Sequence, residues 1–395
     1  MGFSQALSGL KAAATNLDVI GNNIANAQTV GFKGSRAIFS DIYAGTQAGL
    51  GAQVAAIQQD FTTGTLENTG RSLDIAISGT GFLRLLDSTG QVVYSRNGQL
   101  RLSNEGYLIN AQGARLTGFP SGVNNGGTPV ELRVPAGAMP AQATSAISAQ
   151  LNLDSRSPIL TGTFDPADAE TYSYANNVTI YDTLGNQHNV TMYFVKTANN
   201  TWDVHLTREG EATPVAIGQL EFNANGELIA GTTLTPPSPL FILTNGADPI
   251  TLTGITFTDS TQFADDFSLD ALHQDGFTSG SLVDLAIDKQ GKVIGTYSNE
   301  RSVEFGTIAL ANFRAPEGLK SVGDNAWIET SESGQPLLGM AGTGLFGSVE
   351  SGLVEASNVD LTRELINLII AQRQYQANSQ TIKVQDEVLQ NAVNL

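Results

Sequence analysis

Apolar residues recur at seven-residue intervals through the C-terminal segment 355–395, which contains neither Gly nor Pro. The first row of this pattern consists of Leu361, Leu368, Tyr375, Ile382 and Leu389. A second row starts at Leu365 and turns polar as it continues. The spacing predicts a long α-helix with a narrow apolar stripe, and either Asn358 or Asp360 can cap its start. So narrow a stripe on so long a helix requires a partner helix.

The other end of the chain carries a matching pattern over residues 3–24. Its apolar positions follow alternating steps of four and three, with Gly21 at the missing step. They are Phe3, Leu7, Leu10, Ala14, Leu17 and Ile24. A lone helix lying on a globular core would show a similar pattern, but the shared stripe type favours pairing of the two terminal helices as a coiled coil. The first helix is expected to end near Asn26, because residues 29–31 are typical of a turn.

Residues 45–70 are rich in Gly, Thr and Gln and follow the first helix. Their composition predicts an extended or irregular connector rather than a compact element. The candidate core anchors of this connector are Val54, Ile57, Phe61 and Leu66.

From Leu73 onwards the hydrophobic period changes to two, which indicates β-strands. Four-residue segments that end in Gly separate the strands. These segments are 87–90, 103–106, 182–185, 223–226 and 288–291. Each joins two β-branched or aromatic runs, so each predicts a hairpin turn with Gly in the left-handed region. The middle of the chain is therefore expected to be β.

Two linker-like stretches, around residues 135–145 and 271–281, interrupt this β region. The segment between them has its own hairpins, and the strands that follow it can complete the sheet begun earlier. The fold class is thus mainly β with terminal α-helices, in an elongated, nested arrangement. The expected domains are a terminal helical core domain with its connector (1–70 plus 356–395), an inner β domain (71–145 plus 278–355) and an inserted outer β domain (146–277).

The charge of the chain is concentrated in its middle. The net charge is −18, with only 15% charged residues. Residues 1–50 and 359–395 carry +1 and −1, which cancel, so the whole excess of −18 lies between them. An acidic middle argues against nucleic acid and anionic membranes as partners. No run of 18 apolar residues predicts a membrane span, and the N-terminus lacks the pattern of a cleavable signal peptide.

The sequence holds 395 residues without a single Cys. This fits a chain that crosses membranes unfolded, although drift would give the same result. His188, His205 and His273 are isolated, and the glycine motif at 342–347 has no surrounding strand–helix unit. The acidic residues near 259–270 lack a calcium-loop pattern. We therefore predict no catalytic residue, metal or cofactor, while a glycan-active enzyme needs only two suitably spaced carboxylates, which no motif reveals.

The segments 8–39 and 353–390 together resemble the paired terminal signatures of the bacterial flagellar rod and hook axial proteins. The residues that carry this resemblance are Asn22, Asn23, Ile24, Ala25, Asn26, Thr29, Gly31, Phe32, Lys33, Glu355, Ala356, Ser357, Asn358, Val359 and Asp360. The large inserted segment favours a hook-type member, since rod-type members are shorter. The resemblance covers the whole chain and is weakest over 150–270.

The resemblance implies a structural, non-enzymatic subunit that self-assembles into the curved, flexible tube of the flagellar hook, a universal joint between rod and filament. It implies export by the flagellar type III apparatus without a cleaved signal peptide, and an extracellular location. The implied partners are further copies of the chain, the distal rod protein, the hook–filament junction protein, the hook cap and the export apparatus. The alternatives are another axial component, such as a distal rod or junction protein, and a secreted glycan-active β protein.

Overall fold

The computed structural model describes residues 2–42, 51–123, 127–211 and 213–393. The described residues form a mainly β protein with an α-helix at each end, as predicted. The N-terminal helix α1 spans Gly2–Ala25, and the C-terminal helix α2 spans Leu361–Val393. Neither of these two helices combines the length and apolar character that crossing a bilayer needs.

The strands fill the chain between the helices. The first ten are β1 (Ser35–Asp41), β2 (Ala52–Gln59), β3 (Leu66–Asn68), β4 (Ile75–Ser78), β5 (Phe82–Leu86), β6 (Val92–Ser95), β7 (Arg101–Leu102), β8 (Leu108–Ile109), β9 (Arg115–Pro120) and β10 (Val130–Glu131). The next nine are β11 (Ala146–Asn152), β12 (Tyr174–Tyr181), β13 (Gln187–Ala198), β14 (Thr201–Arg208), β15 (Val215–Phe222), β16 (Leu228–Ala230), β17 (Thr233–Leu234), β18 (Gly254–Thr256) and β19 (Ser268–Gln274). The last eight are β20 (Leu282–Ile287), β21 (Lys292–Tyr297), β22 (Ser302–Asn312), β23 (Lys320–Gly323), β24 (Ala326–Ile328), β25 (Leu337–Met340), β26 (Ser348–Ser351) and β27 (Leu353–Glu355).

The chain divides into two compact units. Unit 1 combines Met1–Ala136, Val283–Thr296 and Ser302–Leu395, and unit 2 combines Gly137–Leu282 with Tyr297–Arg301. Unit 1 thus holds both terminal helices together with the first and last groups of strands.

The largest sheet of unit 1 runs in the order β20-β21-β22-β9-β5-β6-β24-β23. The first half of the long strand β22 pairs with β21 and β9, and its second half pairs with β5 and β25. Three antiparallel pairs lie outside this sheet, namely β1–β2, β4–β26 and β3–β27. The last two join the start of the strand region to its end, which brings both terminal helices to the same unit.

Unit 2 places two sheets around one hydrophobic core. One sheet has the order β17-β18-β11-β19 and the other the order β12-β13-β14-β15-β16. Inward-facing side chains of both sheets, such as Ile147, Phe194 and Trp202, are fully buried in that core. Apolar and polar residues alternate along these strands, as expected for a sheet with one buried face.

The hairpin turns expected from sequence are all present. Their last residues are Gly90, Gly106, Gly185, Gly226 and Gly291, each with a positive φ between 78° and 87°. In four of them the Asp or Asn that opens the turn accepts backbone N–H bonds from residues two and four further on, as Asp87 does from Thr89 and Gln91. A further turn of the same pattern, at 110–113 with Gly113 at φ 86°, was not predicted from the sequence.

Part of the connector is extended, as expected, and forms the regular strand β2, which pairs antiparallel with β1, whereas residues 45–50 lie outside the described residues. The linker expected around residues 271–281 needs correction, because residues 271–274 are the end of β19, which pairs with β11. Since β11 lies much earlier in the chain, local composition does not reveal this strand.

Candidate functional site: the terminal helices and their joint

Helices α1 and α2 lie side by side and antiparallel within unit 1. Near the start of α1, Gly9 faces the side chain of Asn378. A Cβ atom added at Gly9 would lie 3.0 Å from the amide nitrogen of Asn378. Further along, Val19 and Ile20 share a cavity of about 310 Å³ with Ile370 of α2. Higher numbers on α1 thus meet lower numbers on α2, which is the antiparallel arrangement.

The face that α1 buries consists of alanines in its first half and of Val19 and Ile20 further along. Its seven-residue row is Ala6, Ala13 and Ile20, flanked by Ala12 and Val19. This row is displaced by one position from the row predicted from sequence. Small side chains allow both α2 and the β1–β2 hairpin to approach the backbone of α1 closely, as the contact of Ser8 with Gly51 shows.

The predicted row of α1 therefore remains partly open to solvent in the single chain. Leu7 is 38% exposed. Four other members, Leu10, Ala14, Leu17 and Ile24, are half-buried. The side chain of Phe3 lies outside the described part of the structure, as does that of Leu389 in α2. The role of these rows in assembly stays a prediction.

Helix α2 turns mainly polar or small side chains towards its own chain. Ala371 is fully buried, and Glu364, Asn367, Asn378 and Gln385 are half-buried along the same side. Most of the large apolar side chains of α2 are exposed instead. Those that are exposed are Leu361, Leu365, Ile366, Ile369, Ile370, Tyr375, Val384 and Val388. Of the predicted row, only Leu368 and Ile382 are half-buried among the described side chains.

We call the eight exposed apolar residues of α2, Leu361, Leu365, Ile366, Ile369, Ile370, Tyr375, Val384 and Val388, the outer face of α2. Three of the isoleucines, Ile366, Ile369 and Ile370, are 55%, 50% and 50% exposed. A soluble monomer seldom leaves so many large aliphatic groups contiguous and open to water. The outer face is thus a surface with the chemistry of a protein interface.

A buried charge cluster joins the terminal segments to the strands. The Glu355 carboxylate accepts from Lys33 Nζ at 2.6 Å, from Arg96 at 3.1 Å and from the backbone N–H of Gly64 at 2.9 Å. Lys33 and Glu355 have no exposed side-chain surface, and Arg96 has 4%. Burial lowers the pKa of Lys33 and of Arg96, and the Glu355 charge opposes that shift in both.

Asn358 is a second connection in the same joint. Its Oδ1 accepts from the Gly34 N–H at 2.8 Å, and its Nδ2 donates to the carbonyls of Asp60 and Thr62. The helix cap is therefore Asp360, whose Oδ1 accepts from the N–H groups of Thr362 at 2.9 Å and Arg363 at 3.2 Å.

Asn23 plays the corresponding part at the end of α1. Its side chain both accepts from the Ser35 N–H and donates to the Ser35 carbonyl, at 2.9 and 2.8 Å. Gly31, with φ 71°, packs so closely against the backbone of Asn97 that a Cβ would come within 2.7 Å. The signature residues thus include several that hold the helices to the strands.

The remaining signature residues have smaller roles in this joint. Thr29 donates to Asn26, and Asn26 donates to Asn22. Val359 packs against Gly34, and Ser357 is buried. Ile24, Phe32 and Ala356 are half-buried, and Ala25 is exposed.

Sequence reasoning missed Arg96 and Gly64. Arg96 lies in a hairpin region with no feature that marks it as a partner of Lys33 and Glu355. Gly64 lies in the connector, where a Cβ would collide with the Ala356 carbonyl at 2.1 Å. Within the described ranges, no three His, Asp or Glu side chains are grouped as metal ligands would be.

Four family models match consecutive parts of the chain. They are the flagella basal body rod protein model at 4–33, the flagellar hook protein FlgE/F/G D1 domain model at 76–150, the flagellar basal body protein FlaE D2 domain model at 152–277 and the flagellar basal body rod FlgEFG protein C-terminal model at 350–395. Together they span most of the sequence in the order expected of a rod or hook protein.

Whole-length relatives agree with these models. The flagellar hook protein FlgE of Escherichia coli strain K12 is 48% identical over 403 residues, with 100% of both chains covered. The FlgE protein of Borreliella burgdorferi is 33% identical, with 98% of each chain covered. The crystal structure of Helicobacter pylori flagellar hook protein FlgE2 shares the fold at a TM-score of 0.51 and 12% identity, covering 73% of this chain and 100% of that one. The chain belongs to the flagellar hook protein FlgE family and is a component of the bacterial flagellar hook.

Proposed function

We propose that the chain is a structural, non-enzymatic subunit that polymerises with copies of itself into the flexible tube of the hook. The observation that carries this proposal is the outer face of α2. Its large apolar groups are roughly half exposed in the single chain, where a neighbouring copy of the chain can cover them.

The helix pair by itself is weakly held, which supports the same proposal. The side of α2 nearest to α1 is mostly amide, carboxylate and alanine, so little apolar area is removed from water within one chain. Burial of apolar area is the main source of helix-packing stability. Neighbouring copies would supply that area, and we propose that the predicted rows of α1 and α2 then pack as a coiled coil.

We further propose that the tube contains three layers of domains, namely 1–70 plus 356–395, 71–145 plus 278–355, and 146–277. The near-neutral charge of the two chain ends suits close packing of identical copies, whereas the acidic middle suits a hydrated outer layer. The same proposal places the protein outside the cell, after export through the flagellar type III apparatus without cleavage of a signal peptide. Its further partners would be the distal rod protein, the hook–filament junction protein and the hook cap.

The decisive experiment compares polymerisation of the purified full-length chain with that of an Ile366→Gln/Ile369→Gln variant. Electron microscopy and sedimentation would give the concentration above which tubes form. Each side chain is about half exposed, so its burial in a polymer is worth on the order of 1 kcal/mol, and we expect the threshold to rise about 10-fold or more.

The matched control is Ile229→Gln/Ile242→Gln, which removes two similarly exposed isoleucines from unit 2. We expect this control to polymerise near the threshold concentration of the unmodified chain. The monomers of the two double variants should unfold at the same temperature as the unmodified monomer. Equal thresholds for the α2 variant and the unmodified chain would show that the outer face is not an assembly surface.

A further inference from the structure

Unit 2 contains an open cleft that is separate from the surface proposed for polymerisation. Its volume is about 460 Å³, within the usual range of sites for small organic ligands. The cleft lies between the loop 165–167 and the turn 208–211, over the sheet that contains β12, β13 and β14. It lies on the solvent-facing side of that sheet, since the opposite side buries Val178, Met192 and Leu206 in the core of unit 2.

The floor of the cleft consists of uncharged polar side chains from three neighbouring strands. Asn177 of β12 lies opposite Thr191 of β13, which in turn lies opposite Thr207 of β14. The Thr191 hydroxyl donates to the side-chain oxygen of Asn177 at 2.7 Å, and the Asn189 amide donates to the Glu209 carboxylate at 3.0 Å. These bonds orient the floor before any ligand enters, which lowers the cost of binding.

Two groups of this floor have no hydrogen-bonding partner among the residues that the structure describes. They are the Thr207 hydroxyl and the side-chain nitrogen of Asn177, whose oxygen alone is engaged. Thr207 is only 5% exposed, and it lines the cleft. A polar group this deeply placed is expected to bond to water or to a ligand. The cleft thus presents donors to the oxygen atoms of a ligand.

An aromatic cluster holds the loop 165–167 at one side of the cleft. The ring of Phe164 stacks on that of His205 with the centroids 4.5 Å apart. Phe164 and Tyr172 each pack against Tyr193, at 5.1 and 4.9 Å. Because Phe164 directly precedes the loop, this packing fixes the loop over the sheet. Tyr193 also lines the cleft and offers an aromatic surface there.

The turn 208–211 forms the opposite wall. Its Glu211 N–H donates to the Arg208 carbonyl at 3.0 Å, and the Arg208 guanidinium pairs with the Glu211 carboxylate at 2.8 Å. This pairing neutralises the one cation of the cleft and leaves Asp165 and Glu209 as further acceptors. Residues 137–282 carry 16 Asp and Glu against 3 Lys and Arg, so an anionic ligand would be repelled.

We propose that this cleft binds a neutral saccharide. The hydroxyl groups of a sugar both donate and accept, which matches the amide, hydroxyl and carboxylate groups of the cleft, and a sugar ring has an apolar face that can lie on Tyr193. The side chains assigned to binding are Asn177, Tyr193, Thr207 and Glu209. This binding is a property of unit 2, involves no bond cleavage and does not depend on polymerisation.

Amide NMR spectra of the full-length monomer, titrated with defined probes, test this proposal. Maltose, cellobiose and chitobiose are the neutral probes, digalacturonate is the anionic one, and spermidine is a cation without a sugar ring. We expect at least one neutral disaccharide to shift the signals of residues 165–167, 189–193 and 207–211 in a saturable manner. Digalacturonate should bind at least about 10-fold more weakly, because the surrounding carboxylates repel it.

Two variants test the assigned side chains. Thr207→Val removes the unpaired hydroxyl, and Asn177→Asp removes the unpaired amide donor while keeping the oxygen that accepts from Thr191. Each should weaken binding of the neutral disaccharide roughly 3- to 10-fold, the loss expected for one hydrogen bond to a ligand. Amide signals outside the cleft should stay in place and thereby report that each variant is folded.

The matched controls are Thr197→Val and Asn225→Asp, which make the same changes in unit 2 outside the cleft. Both should bind the disaccharide as the unmodified chain does. The proposal is overturned if no neutral disaccharide shifts the cleft signals saturably, or if spermidine shifts them and the disaccharides do not. It is equally overturned if the cleft variants bind as tightly as their controls.

Discussion

Lys33 Nζ and Glu355 Oε1 lie 2.6 Å apart across a sequence separation of 322 residues, with both side chains fully buried. An ion pair in such surroundings contributes little net stability once the desolvation of both groups is counted. What it does provide is specificity, because an unpaired charge at either position is costly. The pair therefore ties the two ends of the chain to one another and to the strands between them.

The cap at Asp360 is expected to set where α2 begins. Asp360→Ala removes the acceptor for the N–H groups of Thr362 and Arg363, so we expect the first turn of α2 to fray and the helix to lose about 1 kcal/mol of stability. Amide exchange of residues 362–366 measures this directly. Asp360→Asn keeps a side-chain acceptor and should show a much smaller change. Equal fraying in the two variants would contradict the capping role.

Gly64 is expected to be intolerant of any side chain. A Cβ at this position would lie 2.1 Å from the Ala356 carbonyl oxygen. Gly64→Ala should therefore displace the C-terminal segment and cost on the order of 1–3 kcal/mol, the usual range for an overpacked site. Urea unfolding and limited proteolysis near residue 356 would detect both effects.

The control for this prediction is Gly162→Ala. A Cβ at Gly162 would meet no atom within 4 Å, and the backbone there does not need a positive φ. Its substitution should leave unfolding unchanged. A Gly64→Ala variant as stable and as resistant to protease as this control would be inconsistent with the close contact.

Phe61 is expected to anchor the connector to the strands of unit 1. Its ring makes edge contacts with Phe82 at 5.4 Å and Trp327 at 5.5 Å, and the Trp327 indole N–H donates to Gln59 at 2.7 Å. Phe61→Ala should cost roughly 2–3 kcal/mol, less than for a fully buried Phe because the ring is only partly buried. Chemical unfolding followed by near-ultraviolet circular dichroism is the measurement.

Phe61→Leu provides the comparison for that change, since it keeps apolar volume but loses the aromatic edge contacts. We expect it to recover more than half of the lost stability. If Phe61→Ala unfolds at the same denaturant concentration as the unmodified chain, the ring is not an anchor.

Unit 2 is expected to lose stability in acid through Asp182. Burial on its own would raise the pKa of this carboxyl, but hydrogen bonds from His188, Asn186 and Asn245 hold the pKa well below its usual range. The pKa is lower in the folded state than in the unfolded state. The resulting stabilisation is therefore complete above the unfolded pKa of about 4 and is lost progressively as the pH falls below it.

Asp182→Asn should accordingly destabilise unit 2 by about 2 kcal/mol near neutral pH and by about 1 kcal/mol near pH 3, as measured by thermal unfolding at both values. Asp288→Asn is the matched control, because Asp288 opens the same kind of turn and accepts the same backbone bonds from Gln290 and Lys292. A destabilisation by Asp182→Asn that does not change with pH would contradict the charge-based explanation.

The terminal helices and the hairpins were predictable because their signals are local. Helix periodicity depends on residues three and four positions apart. Each hairpin turn depends on its opening Asp, Asn or Ser and its closing Gly. The signature residues were found from the resemblance of the chain ends to rod and hook proteins. Their actual contacts, such as those of Asn358, were not foreseen, since the partners lie hundreds of positions away.

By itself, the sequence determined the mainly β character, the two terminal helices and the acidic middle. It also placed the end of the first helix near Asn26 and the cap of the second at Asn358 or Asp360. Tertiary structure alone decided which face of α1 is buried and that α2 leaves Ile366 and Ile369 exposed. It also decided that Lys33, Arg96 and Glu355 share one buried site. The physical reason is that periodicity defines a stripe on a helix but not its partner, whereas burial and charge pairing depend on the distance between atoms that the chain brings together only on folding.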